Sequence, residues 1–406
     1  MIPREAQEDL AKKGIAILRE HMLVYFAAEE RVGKTLPTIM IAESLAAIKR
    51  VLIITKKVAI AGWLETLNKY DGTTKSYTVT NYHQAHKKDP AKFDLVILDE
   101  SHNYVSGFPK LPKMWYGIRK LTKGKPVIFV SATPFAQGYQ QLYHQLNLSC
   151  WSPWSQYENS KQWFSRFGIP QSIWVQGRQI PKFDDIIPEA FEMVKHLFVT
   201  KTRSEAGFTV EPLDELHYVE LGETTKAVYN TILKERALVL NDMEVVCDSI
   251  GKLRTTLHTV EGGTLVHSEV VKGKKKRLPV VLGNKEKINY ILEHWGDEYN
   301  VAIMYNYIAE EAKLRKYFKK ARILQGTTNA EGISLWKFDH LVIYSMDFST
   351  AKFTQRRARQ ADRQREDPIN VCYLLTKGGI SEQAYKAVAI NKRNYVDSLF
   401  DGTLLT

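Results

Sequence analysis

The sequence predicts an α/β protein built from two mostly parallel sheets flanked by helices. Three observations carry this expectation. Continuous apolar runs such as Val51-Leu52-Ile53-Ile54-Thr55 and Val127-Ile128-Phe129-Val130 have the length and composition of strands buried on both faces. Segments of helical spacing separate them, so strand and helix alternate over residues 22–134. The same rhythm returns in the second half, at Val301–Tyr305, Ala321–Leu324, Leu341–Tyr344 and Ile369–Leu375. A boundary near residue 203 separates an N-terminal domain, 1–203, from a C-terminal domain, 204–406.

Taken in order, residues 1–21 read as a helix whose loose apolar face is Ile2, Ala6, Leu10, Ile15 and Leu18, with Gln7 exposed. The run Met22–Phe26 is a buried strand. It leads through Ala28-Glu29-Glu30-Arg31-Val32-Gly33-Lys34-Thr35 into a helix with apolar residues at Ile39, Ala42, Leu45 and Ile48. Gly-Lys-Thr at a loop-to-helix junction is the end of a phosphate-binding loop. Backbone N–H groups and the helix N-terminus hold phosphate oxygens there, the Lys reaches the outer phosphates, and the Thr hydroxyl ligates Mg²⁺. The full pattern wants Gly where this chain has Ala28, so the tripeptide alone is equally a chance occurrence in a loop.

Beyond the strand Val51–Thr55, Ile60–Leu67 reads as a helix and Tyr77–Thr80 as a short strand ending in Asn81-Tyr82. Phe93-Asp94-Leu95-Val96-Ile97-Leu98-Asp99-Glu100-Ser101-His102 is an apolar strand that delivers two adjacent carboxylates to its C-terminal end. Ligands of open parallel sheets bind outside the carboxyl ends of the strands, which places Asp99 and Glu100 beside the phosphate loop. In that position an Asp holds Mg²⁺ and its neighbour orients or deprotonates an attacking water. Val127–Val130 runs into Ser131-Ala132-Thr133-Pro134, two hydroxyls at the same edge. The aromatics of 137–202, among them Trp151, Trp154, Tyr157, Trp163, Phe164, Phe167 and Trp174, read as core packing in preference to a base-stacking platform.

Leu216–Leu221 opens the second half as a strand, and helical segments follow over roughly 223–258. Thr264–Val271 and Leu278–Leu282 flank Lys272-Gly273-Lys274-Lys275-Lys276-Arg277, so residues 264–282 read as a hairpin with a basic tip. Such a tip is a solvated face, a localisation signal or a phosphate-contacting element. Between the last two strands lies the arginine-dense run Gln355–Arg365.

Composition bounds the function class. The 406 residues are 44% hydrophobic and 25% charged, which is a globular and not a disordered balance. No apolar run approaches the ~18–20 residues of a membrane span. The N-terminus lacks a secretory layout. Cys150, Cys247 and Cys372 lie far apart among apolar or aromatic neighbours, so they are expected to be core thiols in a reducing, cytoplasmic setting, with no metal cluster or disulfide framework. The net charge of +12 favours a polyanionic partner over a merely basic surface.

Taken together, these residues resemble superfamily 2 helicases, in particular the Swi/Snf-like branch and its compact phage-type relatives. Ala28–Thr35 resembles motif I, and Ile53–Trp63 resembles motif Ia with the Trp that follows it. Asp99-Glu100-Ser101-His102 matches motif II and Ser131–Pro134 matches motif III, while Val199–Arg203 resembles the linker into a second lobe. Thr327–Leu335 resembles motif V and Gln355–Arg365 motif VI.

The resemblance implies two RecA-like lobes with ATP in the cleft between them, and a monomeric motor that couples ATP hydrolysis to movement along DNA. The DNA would be single-stranded, duplex or branched and held mainly through its phosphates. Unwinding by a helicase is the first form of that activity; duplex translocation without strand separation is the alternative, and a non-catalytic nucleic-acid-binding module a second one. It implies that Arg31, Val32, Gly33, Lys34, Thr35 and Gly332 hold the nucleotide, that Gln7 reads the adenine, and that Thr35 and Asp99 hold Mg²⁺. Glu100 would be the catalytic base, and His102, Ser131, Thr133, Gln355 and Arg356 would couple nucleotide state to lobe movement. Arg359 and Arg363 would be the arginine fingers, with Arg356 a further candidate, an effect worth ~10³–10⁵ in rate in related NTPases. Lys56, Lys274, Lys275, Lys276, Arg277 and Thr328 would meet the nucleic acid, inside a bacterial host cell if the chain is phage-encoded. Two departures stand out: Arg31 replaces a loop Gly, and Ala358 replaces the Gly of motif VI.

Overall fold

The computed structural model describes residues 1–135, 138–175, 178–183, 185–240, 243–271, 274–326, 335–360, 365–392, 394–396 and 399–400. The chain divides into two compact units, Met1–Phe208 and Thr209–Thr406.

In the first unit β1 (Leu23–Ala28), β2 (Arg50–Thr55), β3 (Ser76–Asn81), β4 (Leu95–Asp99) and β5 (Val127–Val130) are joined, after an antiparallel hairpin of β6 (Gln171–Val175) and β7 (Arg178–Lys182), by β8 (Phe198–Lys201). The sheet order is β3-β2-β4-β5-β1-β8 and every pairing in it is parallel. Val51–Ile54, Leu95–Leu98 and Val127–Phe129 are fully buried, as continuous apolar runs require. At about 1.5–3 kcal/mol for each fully buried Val, Leu, Ile or Phe side chain, these strands supply much of the driving force for this unit.

Helix Glu5–His21 buries Leu10, Ala11 and Leu18, whereas Ile2 precedes the helix and is exposed. Gly14 lets it pack closely, since a Cβ there would lie 2.4 Å from Ile41 Cδ1. The helix after the phosphate loop spans Thr35–Glu43, so Leu45 and Ile48 fall beyond its end. Trp154, Trp163 and Phe167 are buried in one cluster with Tyr143, the core role expected of them, while Trp151 is half-exposed. Cys247 and Cys372 are buried, but Cys150 is exposed. Its neighbours Leu148 and Trp154 turn inward and leave the thiol on the outside of the turn.

In the second unit, β9 (Leu213–Tyr218) begins earlier than the apolar residues suggested. The expected helical stretch is interrupted. Helix Glu223–Glu235 is followed by a hairpin of β10 (Ala237–Leu240) and β11 (Met243–Val246) before helix Ile250–Glu261. β12 (Thr264–Val271) and β13 (Lys274–Val281) pair antiparallel, so Lys274–Arg277, expected at a hairpin tip, lie within β13. β14 (Val301–Tyr305), β15 (Arg322–Gln325), β16 (His340–Ile343) and β17 (Asn370–Leu375) complete a parallel sheet in the order β15-β14-β16-β17-β9. Two parallel sheets flanked by helices are the architecture the sequence predicts. No described helix is long and apolar enough to cross a membrane.

Candidate nucleotide site

The C-terminal ends of β1, β5 and β4 lie side by side, so the segments leaving them share one edge. The loop after β1 is shaped by two left-handed residues, Arg31 at φ 67° and Gly33 at φ 88°. Glycine suits the second position because it adopts this φ without strain, and a Cβ there would also have to displace Arg4 Nη2 and Gln7 Nε2, 2.5 and 2.7 Å away. Those two side chains grip the loop. Arg4 Nη2 donates to the Val32 carbonyl at 3.1 Å, and Gln7 Nε2 donates to the Gly33 carbonyl at 3.0 Å. Gln7 Oε1 accepts from the Arg4 backbone N–H at 3.1 Å and from its Nε at 3.2 Å. Gln7 is therefore buried, not exposed as its place on the helix suggested, because its amide closes this clasp.

Lys34 Nζ folds back on the strand end and donates to the carbonyls of Ala28 at 2.8 Å and Glu29 at 2.9 Å. Its enclosure lowers the ammonium pKa, while Glu100, Glu30, Asp99 and Glu29 pull it back up. Glu29 and Glu30 also face Arg203, each at 3.9 Å, and the Arg203 N–H donates to Glu29 Oε2 at 2.7 Å. Val32 is buried beneath the loop and Thr35 opens the helix.

Asp99 ends β4. Its Oδ2 accepts from Thr55 Oγ1 at 2.6 Å, at the end of β2, and from Trp63 Nε1 at 2.9 Å. Burial and the Glu100 charge raise its carboxyl pKa, and the two donors oppose that rise. The Tyr82 hydroxyl donates to the Asp99 carbonyl at 2.9 Å. Glu100 occupies the left-handed region at φ 53°, and its N–H donates to the Val130 carbonyl at 2.7 Å. A non-glycine residue held there costs of order 1 kcal/mol or more, and such strain concentrates at functional sites.

His102 is buried and joins the two following segments. Its Nδ1 lies 2.8 Å from Ser131 Oγ and 3.5 Å from Glu100 Oε2, and its Nε2 lies 3.3 Å from Thr133 Oγ1. Burial, assisted by the Lys56 charge, lowers its pKa to about 3, so the ring is neutral near pH 7. Lys56 follows β2 at the same edge. Gln145, which sequence reasoning missed, is fully buried behind this edge. Its Oε1 accepts from Tyr25 OH at 2.8 Å and Ser101 Oγ at 2.7 Å, and its Nε2 donates to the Pro134 and Gln141 carbonyls at 2.8 and 3.0 Å.

These residues fit a magnesium nucleotide. A partly buried cation is drawn by several carboxylates, a loop turned at Gly33 precedes a helix N-terminus, and a carboxylate is oriented through one oxygen.

In the second unit, Arg356 is buried and engaged within its own sheet edge. Its Nη2 donates to Asp347 at 2.9 Å and Asn306 at 3.2 Å, and its Nε to the Gly326 carbonyl at 3.4 Å. A Cβ on Gly326 would meet the Arg356 guanidinium at 2.2 Å, so a larger residue there would have to displace it. Arg356 thus ties together the segments that leave β14, β15 and β16. Gln355 and Arg359 are partly exposed near it. Thr328, Gly332 and Arg363 lie outside the described residues, as do the side chains of Lys274, Lys275, Lys276 and Arg277.

No protein-family model matches the sequence, and no curated protein matches it. Among solved structures, the chain is similar to a Sulfolobus solfataricus SWI2/SNF2 ATPase core in complex with dsDNA. The identity is 14% and the TM-score 0.45, over 96% of this chain and 91% of that one. A Sulfolobus solfataricus SWI2/SNF2 ATPase core domain is similar at 12% identity and TM-score 0.38, over 95% and 88% of the two chains. Likenesses at these levels carry nothing about activity.

Proposed function

We propose that the protein is a nucleic-acid-dependent ATPase that couples hydrolysis to movement on DNA. The observation that carries the ATPase reading is the meeting, at one sheet edge, of the clasped loop 29–34, the Asp99–Glu100 pair and the His102–Ser131–Thr133 cluster. Bound ATP and Mg²⁺ supply the transferable phosphoryl group and the charge that neutralises it. Lys34 would exchange its two carbonyl partners for phosphate oxygens, with Thr35 and Asp99 as metal ligands. Glu100, pinned by its backbone N–H, would orient the attacking water and take its proton. The His102 ring would transmit a change at Glu100 to Ser131 and Thr133, because it touches all three.

The DNA half of the reading rests on the motif resemblance and the net charge of +12. Phosphate contacts would make binding sequence-tolerant and salt-sensitive. The same resemblance assigns transition-state charge stabilisation to Arg359 and Arg363, with Gly332 and Thr328 as nucleotide and strand contacts. It also suggests a compact phage-type motor acting as a monomer. Unwinding and duplex translocation remain separate forms of this proposal; strand displacement on forked and branched substrates distinguishes them.

The central test is ATP turnover by wild type and Lys34→Ala over single-stranded, duplex, forked and four-way-junction DNA and RNA. Stimulation of wild type by DNA and its loss in the variant are expected. Equal wild-type rates with and without nucleic acid would sink the motor reading, and no turnover under any condition would leave a binding module.

A further inference from the structure

We propose that Glu215, His217 and Cys372 form a site for a thiophilic divalent metal ion of the zinc type, separate from the nucleotide site. β9 is the edge strand of the second sheet and β17 is its neighbour. Their register sets Cys372 directly against Glu215, and His217 follows Glu215 by one strand period. All three side chains therefore project from one face.

Two of the three donor spacings match metal chemistry. Glu215 Oε2 lies 3.4 Å from His217 Nε2 and 3.6 Å from Cys372 Sγ, and the three donor atoms all lie within 4.8 Å of one another. A tetrahedral zinc ion bound by N, O and S has edges of about 3.3 Å between N and O and about 3.5 Å between O and S, from its ordinary bond lengths. A thiolate, an imidazole and a carboxylate form a donor set that favours zinc or a similar borderline ion over Mg²⁺. The site is thus chemically distinct from the all-oxygen set at Asp99 and Thr35.

The surroundings support the same assignment. His217 Nδ1 lies 3.0 Å from the Tyr290 hydroxyl, which fixes the ring and turns Nε2 toward the carboxylate. Outer-shell partners of this kind orient metal-bound imidazoles. His294, stacked on Tyr290, and Trp295 pack beside it, with ring centroids 6.2 and 5.0 Å from that of His217. Cys372 is buried, but the Glu215 side chain is 41% exposed, so an ion can enter from solvent. Binding would replace the thiol proton by the metal and release that proton to solvent. It would also cross-link the edge strand to its neighbour through side chains. Three protein ligands leave a fourth position for water.

The full-length protein, stripped by chelator, is titrated with Co²⁺ and followed by its visible and near-ultraviolet absorption, with Zn²⁺ competing. A single cobalt ion giving a thiolate-to-metal charge-transfer band and tetrahedral d–d bands is expected. Cys372→Ser should abolish the charge-transfer band, and His217→Gln and Glu215→Gln should each weaken affinity at least ~10-fold. Tyr290→Phe should weaken affinity ~10-fold while leaving the band in place. The absence of a thiolate band in wild type, or a band unchanged in folded Cys372→Ser, overturns the proposal. Should Cys372→Ser fail to fold, the partly exposed His217 and Glu215 decide it, and unaltered affinity in both overturns it.

Discussion

The Trp63 indole N–H donates to Asp99 Oδ2 at 2.9 Å, on the same oxygen that accepts from Thr55 Oγ1 at 2.6 Å. Both donors hold one oxygen of the carboxylate, and in the proposed site the other would meet the metal ion. They also oppose the rise in pKa that burial imposes on Asp99. Trp63→Phe keeps the aromatic packing and removes one donor. Hydrogen bonds to charged groups are worth about 1.5–3 kcal/mol, so the apparent Mg²⁺ affinity should fall roughly 10-fold or more. A Mg²⁺ titration of ATP turnover at fixed ATP measures this; an unchanged midpoint would show that the indole does not position the carboxylate.

Much of this edge was legible because its strands are buried on both faces. Val51–Thr55, Leu95–Leu98 and Val127–Val130 read as continuous apolar runs, and the strand-end rule then placed Asp99 and Ser131. What stayed illegible was polar burial. Gln7 and Gln145 sit on helices where any glutamine reads as solvated, and only the tertiary clasp with Gly33 or with Tyr25 and Ser101 buries them. Arg356 was one of several arginines in a row, and nothing in the run distinguishes the one turned inward to Asp347. The hairpin Ala237–Val246 was missed because Ala237-Leu238-Val239-Leu240 suits helix or strand equally. The Asn241-Asp242 pair was the turn signal that could have found it.

His102 gives the site a pH dependence with a defined sign. Its folded pKa is lowered to about 3 from an ordinary value of 6.5, so its contribution to stability is full above 6.5 and is lost as pH falls toward about 3. Between pH 7 and 5 the unfolded chain takes up this proton and the folded chain does not. At 1.36 kcal/mol per pH unit, wild type should lose ~2 kcal/mol more than His102→Gln over that interval. Denaturant unfolding of both proteins at the two pH values reads the difference. Parallel losses would mean that the ring is protonated in the folded state.

Gln145 uses both its donors and its acceptor oxygen within the fold, so Gln145→Leu leaves Tyr25 OH, Ser101 Oγ and the Pro134 carbonyl to find other partners. A buried group left unsatisfied costs about 1–3 kcal/mol, and a loss of ~2–4 kcal/mol in unfolding free energy is expected. Ser101 adjoins Glu100, so turnover should fall as well. Tyr25→Phe combined with Gln145→Leu should cost less than the sum of the two changes by ~1 kcal/mol, because a donor and its acceptor leave together. Strict additivity in the double-mutant cycle would show that the two side chains are not coupled.

Arg31 stands at φ 67° where the related loop pattern has glycine, and the backbone there is already in the conformation a glycine would adopt. Removing the side chain mixes two effects, loss of its contacts and a change in backbone preference. Comparing Arg31→Ala with Arg31→Gly separates them, since both lose the same contacts. An L-residue in the left-handed region costs roughly 1–2 kcal/mol, while glycine carries ~0.5–1 kcal/mol of extra unfolded-state entropy. Arg31→Gly should therefore be more stable than Arg31→Ala by up to ~1 kcal/mol, and the two should bind nucleotide with similar affinity if the loop keeps its path. Unfolding midpoints and fluorescent-nucleotide titrations measure both quantities. A glycine variant that binds nucleotide much more weakly than the alanine variant would show that the loop path depends on a Cβ at this position, contrary to the geometry described for Gly33 and its clasp.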